Sequence, residues 1–246
     1  MRLRDKAAIV TGGGQGIGRE TCLRFAQEGA KVFVADINEA TAKAAADEIL
    51  VRGGEAGYCA VDVVDRQSAA NMVKACVDKF GKLDILINNA GVTKDNIFLR
   101  MSEEQWDLVI DVSLKGTFIC SQAAAKAMMK SGGRIVNTAS VAALGNYGQA
   151  NYSSAKGGII SMTRTLALEL ARYNINVNCV APGTIMTPMF EQVAAELREK
   201  YKEQIPMKRF GEAGEIAAMH AFLCSDDAAY ITGQTIFVDG GLSVGL

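Results

Sequence analysis

The chain has 246 residues, 49% of them hydrophobic and 22% charged, enough to bury the core of one large domain or two small ones. A formal net charge of -1 gives no electrostatic reason to expect nucleic acid or an anionic membrane as a partner. Six cysteines, Cys22, Cys59, Cys76, Cys120, Cys179 and Cys224, are scattered through apolar contexts without C-x-x-C spacing, which argues against disulfides and zinc and for a reduced cytoplasmic protein.

The start, Met1 to Lys6, is charged, without the apolar region of a signal peptide, and no segment reads as apolar enough to span a bilayer. Ala7-Ala8-Ile9-Val10-Thr11 is a short apolar run that enters Gly12-Gly13-Gly14-Gln15-Gly16-Ile17-Gly18, after which helical periodicity runs from Glu20 to Glu28 and stops at Gly29. Strand, glycine turn and helix open a dinucleotide-binding unit: glycines let the backbone approach a pyrophosphate, and free N–H groups at the helix start face its charge. The spacing is T-G-x-x-x-G-x-G instead of the common G-x-G-x-x-G, and taken alone it reads equally well as a structural tight turn.

Lys31 to Asp36 is the next strand, and its terminal acid stands where a ribose would lie. A carboxylate there accepts hydrogen bonds from both ribose hydroxyls and repels a 2′-phosphate, so the expected cofactor is NAD(H), preferred over NADP(H). The plainer alternative is an Asp capping a turn. Asn38 caps a helix over 39–52, and a third strand from Gly57 to Val61 ends in Asp62, which with Val63 fits an adenine contact. A helix over 66–80, the strand Leu83 to Ile87 and the turn Asn88-Asn89-Ala90-Gly91 continue the alternation of strand and helix. Even alternation predicts a parallel sheet whose C-terminal strand ends collect the ligand contacts.

Ser102-Glu103-Glu104-Gln105 reads as a capping box, and the helical pattern beyond it is interrupted around Val112-Ser113 before reaching Lys130. Arg134 to Ser140 is a fifth strand with a hydroxyl at its end, placed to stabilise a developing oxyanion. The next helix, Tyr152 to Arg172, puts the phenol of Tyr152 and the ammonium of Lys156 on one face four residues apart. Such a pair is a candidate acid/base unit, although the spacing by itself is common. Asn176 to Ala181 is a sixth strand closed by Pro182-Gly183-Thr184-Ile185-Met186-Thr187, and residues 188–210, with a charged helix over 191–204, are placed to act as a substrate lid. A last helix over 213–224 carries the single histidine, His220, read as structural, and a strand over 234–238 ends the fold. The expected architecture is one α/β domain over 1–246, a Rossmann-type doubly wound parallel sheet of about seven strands with helices on both faces. No metal site is expected.

Together, Thr11-Gly12-x-x-x-Gly16-x-Gly18, Asn88-Asn89-Ala90-Gly91, Ser140, Tyr152-x-x-x-Lys156 and Pro182-Gly183-x-Ile185-x-Thr187 resemble the short-chain dehydrogenase/reductase family over essentially the whole chain. Asn89 to Asn96, Gly148 to Tyr152 and Tyr230 to Thr235 look like the 3-oxoacyl-acyl-carrier-protein reductases. The resemblance implies that Tyr152 exchanges a proton with a carbonyl oxygen, that Ser140 donates a hydrogen bond to that oxygen, and that Lys156 lowers the phenol's pKa from about 10. It further implies cofactor contacts from Gly12, Gln15, Gly16, Ile17, Gly18, Asp36, Asp62, Val63, Asn89, Ala90, Gly91, Tyr152, Lys156, Pro182, Gly183, Ile185 and Thr187.

Three positions depart from the family pattern. Ser113 stands where family members usually carry an Asn that holds a proton-relaying water, which implies a working but slower relay in this chain. Gln15 replaces the Arg of NADP-dependent reductases, and Asp36 occupies a position where they avoid an acid. The turn Lys130-Ser131-Gly132-Gly133-Arg134 is less basic than a carrier-docking turn, although Arg172 matches another docking arginine. Docking of the acidic acyl-carrier protein is thus in doubt and a coenzyme A thioester or a plain ketone gains plausibility, the choice between carrier protein and CoA staying open. The leading expectation is an NAD(H)-dependent 3-oxoacyl thioester reductase; the alternatives are a dehydrogenase of another secondary alcohol, sugar or polyol, and a catalytically silent dinucleotide sensor or scaffold. Apolar faces on the two long helices predict a homotetramer.

Overall fold

β1 (Ala7–Thr11) is buried at every residue, as a short apolar strand in the middle of a sheet covered on both faces must be. In the computed structural model, which describes residues 1–186, 190 and 195–244, β1 pairs on one side with β2 (Lys31–Asp36), which pairs with β3 (Glu55–Ala60). On its other side lie β4 (Ile85–Asn88), β5 (Gly133–Thr138), β6 (Ile175–Pro182) and finally the edge strand β9 (Thr235–Val238). All of these pairings are parallel. The helices are α1 (Gly16–Gln27), α2 (Glu39–Val51), α3 (Arg66–Phe80), α4 (Glu103–Val109), α5 (Gly116–Met128), α6 (Ala150–Leu170), α7 (Ala195–Gln204) and α8 (Ala213–Cys224). The result is the doubly wound, Rossmann-type α/β fold expected from the sequence.

Strand alternation divides the core between the two faces of the sheet. Ala8 and Val10, Val32 and Val34, and Ile85 and Ile87 pack with Cys22 and Phe25 of α1, Ile49 of α2 and Leu223 of α8. The intervening Ile9, Phe33, Ala35 and Leu86 pack on the other side with Met72 and Cys76 of α3 and Ile119 and Met128 of α5. β1 is flanked by β2 and β4, so the winding reverses there and a crevice opens beyond the ends of β1 and β4, between Thr11 and Asn88.

Several boundaries move. β5 ends at Thr138, so Ser140 lies beyond the strand, where its Oγ accepts the Ala142 N–H at 3.1 Å and opens a short 3₁₀ turn, Val141–Leu144. α6 starts at Ala150 instead of Tyr152, and β4 starts at Ile85 because Asp84 turns its carboxylate to the Ala7 N–H, 2.8 Å away. β3 runs from Glu55 to Ala60, leaving Val61 outside it. Two short strands, β7 (Ile185–Met186) and β8 (Gly211–Glu212), form a small second sheet not foreseen in the sequence. The interruption expected around Val112-Ser113 is a single π-helical turn, Ile110–Lys115, joining α4 to α5. The Ser102/Gln105 capping box and the Asn38 cap are both formed. Thr187 and, of the expected lid over 188–210, residues 188–189 and 191–194 lie outside the described residues.

The run Glu103–Met128 reaches the length and hydropathy of a bilayer span, which corrects the reading that no segment does. Alanines such as Ala123, Ala124 and Ala125 contribute to that hydropathy, and α5 packs Ile119, Cys120, Ala124 and Met128 into the fold.

Candidate active site

The glycine turn after β1 is held tightly. Gly12 has φ +61, and a Cβ on Gly18 would stand 2.0 Å from the Gly12 carbonyl oxygen, so α1 can begin this close to β1 only without a side chain there. Asn89 Nδ2 donates to the carbonyls of Thr11 at 3.2 Å and Gly12 at 3.1 Å, while Thr11 Oγ1 accepts the N–H groups of Asn89 and Ala90. The side chain of Asn89 therefore buttresses the turn. Gln15 precedes α1, is exposed and makes no side-chain cap, and Ile17 packs partly against the core.

Asp36 is 9% exposed. Its Oδ2 accepts the Gly14 N–H at 3.0 Å and its Oδ1 the Asn38 N–H at 3.1 Å. The acid ties β2 to the glycine turn, and one lone pair remains on each of its oxygens. Asp62 is exposed and accepts the Val64 N–H. Val63 is buried, close against Gly116, which leaves its backbone, not its side chain, for any ligand. Pro182 ends β6, and Gly183 sits so close to Asp239 that a Cβ would lie 2.7 Å from the Asp239 Cα. Ile185 is 8% exposed within β7.

Ser140, Tyr152 and Lys156 come together at the C-terminal edge of the sheet, beside Gly91. The Ser140 side chain acts on the Tyr152 phenol and lowers its pKa. Lys156 Nζ lies 5.4 Å from the centre of the Tyr152 ring and donates to the Thr138 carbonyl at 2.7 Å. A methyl built on Gly91 would be 3.4 Å from Ser113 Oγ and 3.5 Å from Lys156 Nζ, so both groups border the same small space. Ser113 is fully buried, and its hydroxyl and that of Thr138 have no hydrogen-bond partner among the described residues.

Burial is the dominant electrostatic influence. It pushes the Tyr152 phenol up to about 12, against the lowering effect of the Ser140 hydrogen bond and with a further rise from the Asp95 carboxylate. It pushes the Lys156 ammonium down to about 8. The expected lowering of Tyr152 by Lys156 is not found in this structure, where desolvation raises the phenol instead. His220 is fully buried between α8 and α1, with Nδ1 3.0 Å from Thr21 Oγ1, and burial pushes it down to about 3, keeping it neutral. The cysteines are all free.

Two supporting sets were not singled out in the sequence. Asn88 Nδ2 donates to Ser121 Oγ and Asn137 Oδ1, both at 2.8 Å, and Asn137 Nδ2 donates to Thr163 Oγ1 at 2.9 Å, a buried chain that fixes α5 and α6 on β4 and β5. Asn151 Nδ2 donates to the carbonyls of Lys94 and Gln105, and its Oδ1 accepts the Tyr152 N–H at 2.7 Å. An Asn inside an apolar strand is the signal that marks the first set; Asn151, beside Tyr152, marks the second.

The family model described as enoyl-(acyl carrier protein) reductase matches residues 12–243. A 3-oxoacyl-[acyl-carrier-protein] reductase of Thermotoga maritima is 45% identical over 99% of this chain and 100% of its own length. The BbsD subunit of (2S)-[(R)-hydroxy(phenyl)methyl]succinyl-CoA dehydrogenase of Thauera aromatica is 42% identical over 99% of both chains. The crystal structure of levodione reductase superimposes with a TM-score of 0.96 at 36% identity over 100% of both chains. The chain therefore belongs to the short-chain dehydrogenase/reductase family and is an oxidoreductase enzyme of that family.

Proposed function

We propose that this enzyme interconverts a 3-oxoacyl thioester and its 3-hydroxy product with NAD(H), in preference to NADP(H), in the cytoplasm. The observation that carries the reading is the meeting of Ser140, Tyr152 and Lys156 beside Gly91, at the crevice that also receives the glycine turn. The crevice suits a dinucleotide: the Gly12–Gly18 contact leaves no room for side chains where a pyrophosphate would approach, and Asp36 faces the same turn. When bound, the nicotinamide supplies or takes the hydride. Tyr152 then gives its proton to the carbonyl oxygen in reduction, Ser140 shares a hydrogen bond with that oxygen, and Lys156, anchored on the Thr138 carbonyl, holds the ribose side and its positive charge near the phenol. The high pKa of the buried phenol suits a proton donor better than a base. Gly12, Gln15, Gly16, Ile17, Gly18, Asn89, Ala90, Pro182, Gly183 and Ile185 are proposed to contact the cofactor, with Thr187 outside the described residues.

The thioester is favoured by the relatives, which are named for acyl-carrier-protein and CoA substrates. The less basic turn at Lys130 to Arg134 favours CoA or a plain ketone over the carrier protein. A second reading, reduction of a small cyclic or other ketone, is supported by the likeness to levodione reductase. Loss of reduced-nicotinamide absorbance with acetoacetyl-CoA, compared with a panel of ketones and alcohols, each with both cofactors and with Tyr152→Phe as the blank, separates these readings. Greater efficiency with NADPH would refute the cofactor choice. A homotetramer is proposed because Leu108, Trp106, Phe118 and Leu168 expose apolar surface on the helices α4 to α6. Light scattering showing a monomer at micromolar concentration would count against it.

A further inference from the structure

Asp95 lies in the connection between β4 and α4, yet it is stitched to the start of the helix that carries Tyr152. Gln149, the residue before α6, donates from Nε2 to Asp95 Oδ2 at 2.8 Å. On either side the backbone is tied as well: the Asn96 N–H donates to the Gly148 carbonyl at 2.9 Å, and Asn151 Nδ2 donates to the Lys94 carbonyl at 3.0 Å. Asn96 is fixed in turn by Nδ2, which donates to the Arg100 carbonyl at 2.9 Å and to Gln105 Oε1 at 3.2 Å. An exposed carboxylate on a loop ordinarily wanders and is screened by water. This one is held by three consecutive residues against the N-terminal turn of α6.

The position is chemically specific. Ser140, from the turn after β5, lowers the Tyr152 phenol and Asp95, from the β4–α4 connection, raises it, while Lys156 of α6 stands 5.4 Å from the ring centre. Lys156 and the Ser140 hydrogen bond favour the phenolate, and burial disfavours it. The Asp95 carboxylate is tied to the N-terminal turn of α6, the turn that carries Tyr152, and its charge raises the phenol, because a negative charge opposes the formation of a second one. We propose that Asp95 is a positioning residue of the reaction, a carboxylate fixed by Gln149 that keeps Tyr152 in its protonated form and so ready to give a proton to a carbonyl oxygen. This rests on the reading of Tyr152 as the proton donor.

The test is Asp95→Asn, which keeps an oxygen for Gln149 and removes the charge, beside Asp95→Glu, which keeps the charge. The pH profile of kcat/KM for carbonyl reduction by the full-length enzyme is expected to show its basic limb moved to lower pH in Asp95→Asn, by on the order of half a pH unit for a partly screened charge. Asp95→Glu is expected to keep the limb within about half of that displacement. The ultraviolet phenolate band, taken as the difference between each protein and its Tyr152→Phe counterpart, is expected to move in the same direction in protein without cofactor. An unmoved limb and band in Asp95→Asn, or an equal fall in Asp95→Glu, would overturn the proposal. Retention of full activity by Tyr152→Phe would instead overturn the underlying reading, and the two failures are thereby distinguished.

Discussion

Lys156 Nζ donates to the Thr138 carbonyl at 2.7 Å, at the point where β5 leaves the sheet, and the lysine is 3% exposed. One backbone acceptor does not offset the loss of water around an ammonium, so burial displaces this lysine from 10.5 to about 8. The unfolded chain therefore binds more protons than the folded one between those values, and stability contributed by this site rises as pH rises through the window. Comparing urea midpoints of the wild type and Lys156→Met, which cannot titrate, should show wild-type stability gaining about 3 kcal/mol relative to the variant between pH 7 and pH 10.5. A difference independent of pH would show that the lysine is not desolvated. Lys156→Met should also lose nearly all activity.

Ser113 is the second residue whose burial invites a test. Its hydroxyl has no partner among the described residues, so Ser113→Ala removes an unsatisfied group and should leave stability unchanged or raise it by about 1 kcal/mol. If the hydroxyl holds a water of a proton relay behind Lys156, the same variant should lower kcat several-fold. Ser113→Asn should raise kcat and alter its pH dependence. Thermal melts and pH-rate profiles of both variants decide this, and an unchanged rate in both would remove the relay.

Asp36 ties β2 to the glycine turn and is proposed to repel a 2′-phosphate, and Asp36→Asn separates the two parts. The amide keeps an acceptor for one of the two N–H groups of Gly14 and Asn38 but loses the charge that repels a 2′-phosphate. The ratio of kcat/KM for NADH to that for NADPH should fall by about tenfold or more, equivalent to about 1.4 kcal/mol, and the N–H left without an acceptor should cost about 1–3 kcal/mol of stability. A ratio that stays constant would mean that selectivity lies elsewhere in the crevice.

Gly18→Ala tests the glycine turn. The added methyl would meet the Gly12 carbonyl oxygen at 2.0 Å and Asn89 Nδ2 at 2.6 Å, and backbone atoms there cannot step aside without moving β1 or α1. A loss of about 1–3 kcal/mol in stability is expected from such overpacking, together with a raised KM for the cofactor. A melt within error of the wild type would show that the turn is looser than this contact implies.

The sequence by itself determined the winding order and the positions that local rules govern. Apolar runs separated by glycine turns and helical stretches can be buried only in a covered parallel sheet, and Tyr152 and Lys156 share a face because a helix puts residues four apart side by side. Asp36 at the end of its strand and the break around Ser113 were equally local. Tertiary structure decided what each side chain does once there. Asn89 supports the Thr11–Gly12 turn across 77 or 78 positions in the chain, Asn88 reaches Asn137 across 49, and Gln149 reaches Asp95 across 54. Val63 turns into the core, and the buried Tyr152 and Lys156 have their proton affinities moved by desolvation. Periodicity states which face of an element is covered, whereas the partner across that face, and the water it excludes, exist only after distant segments have packed.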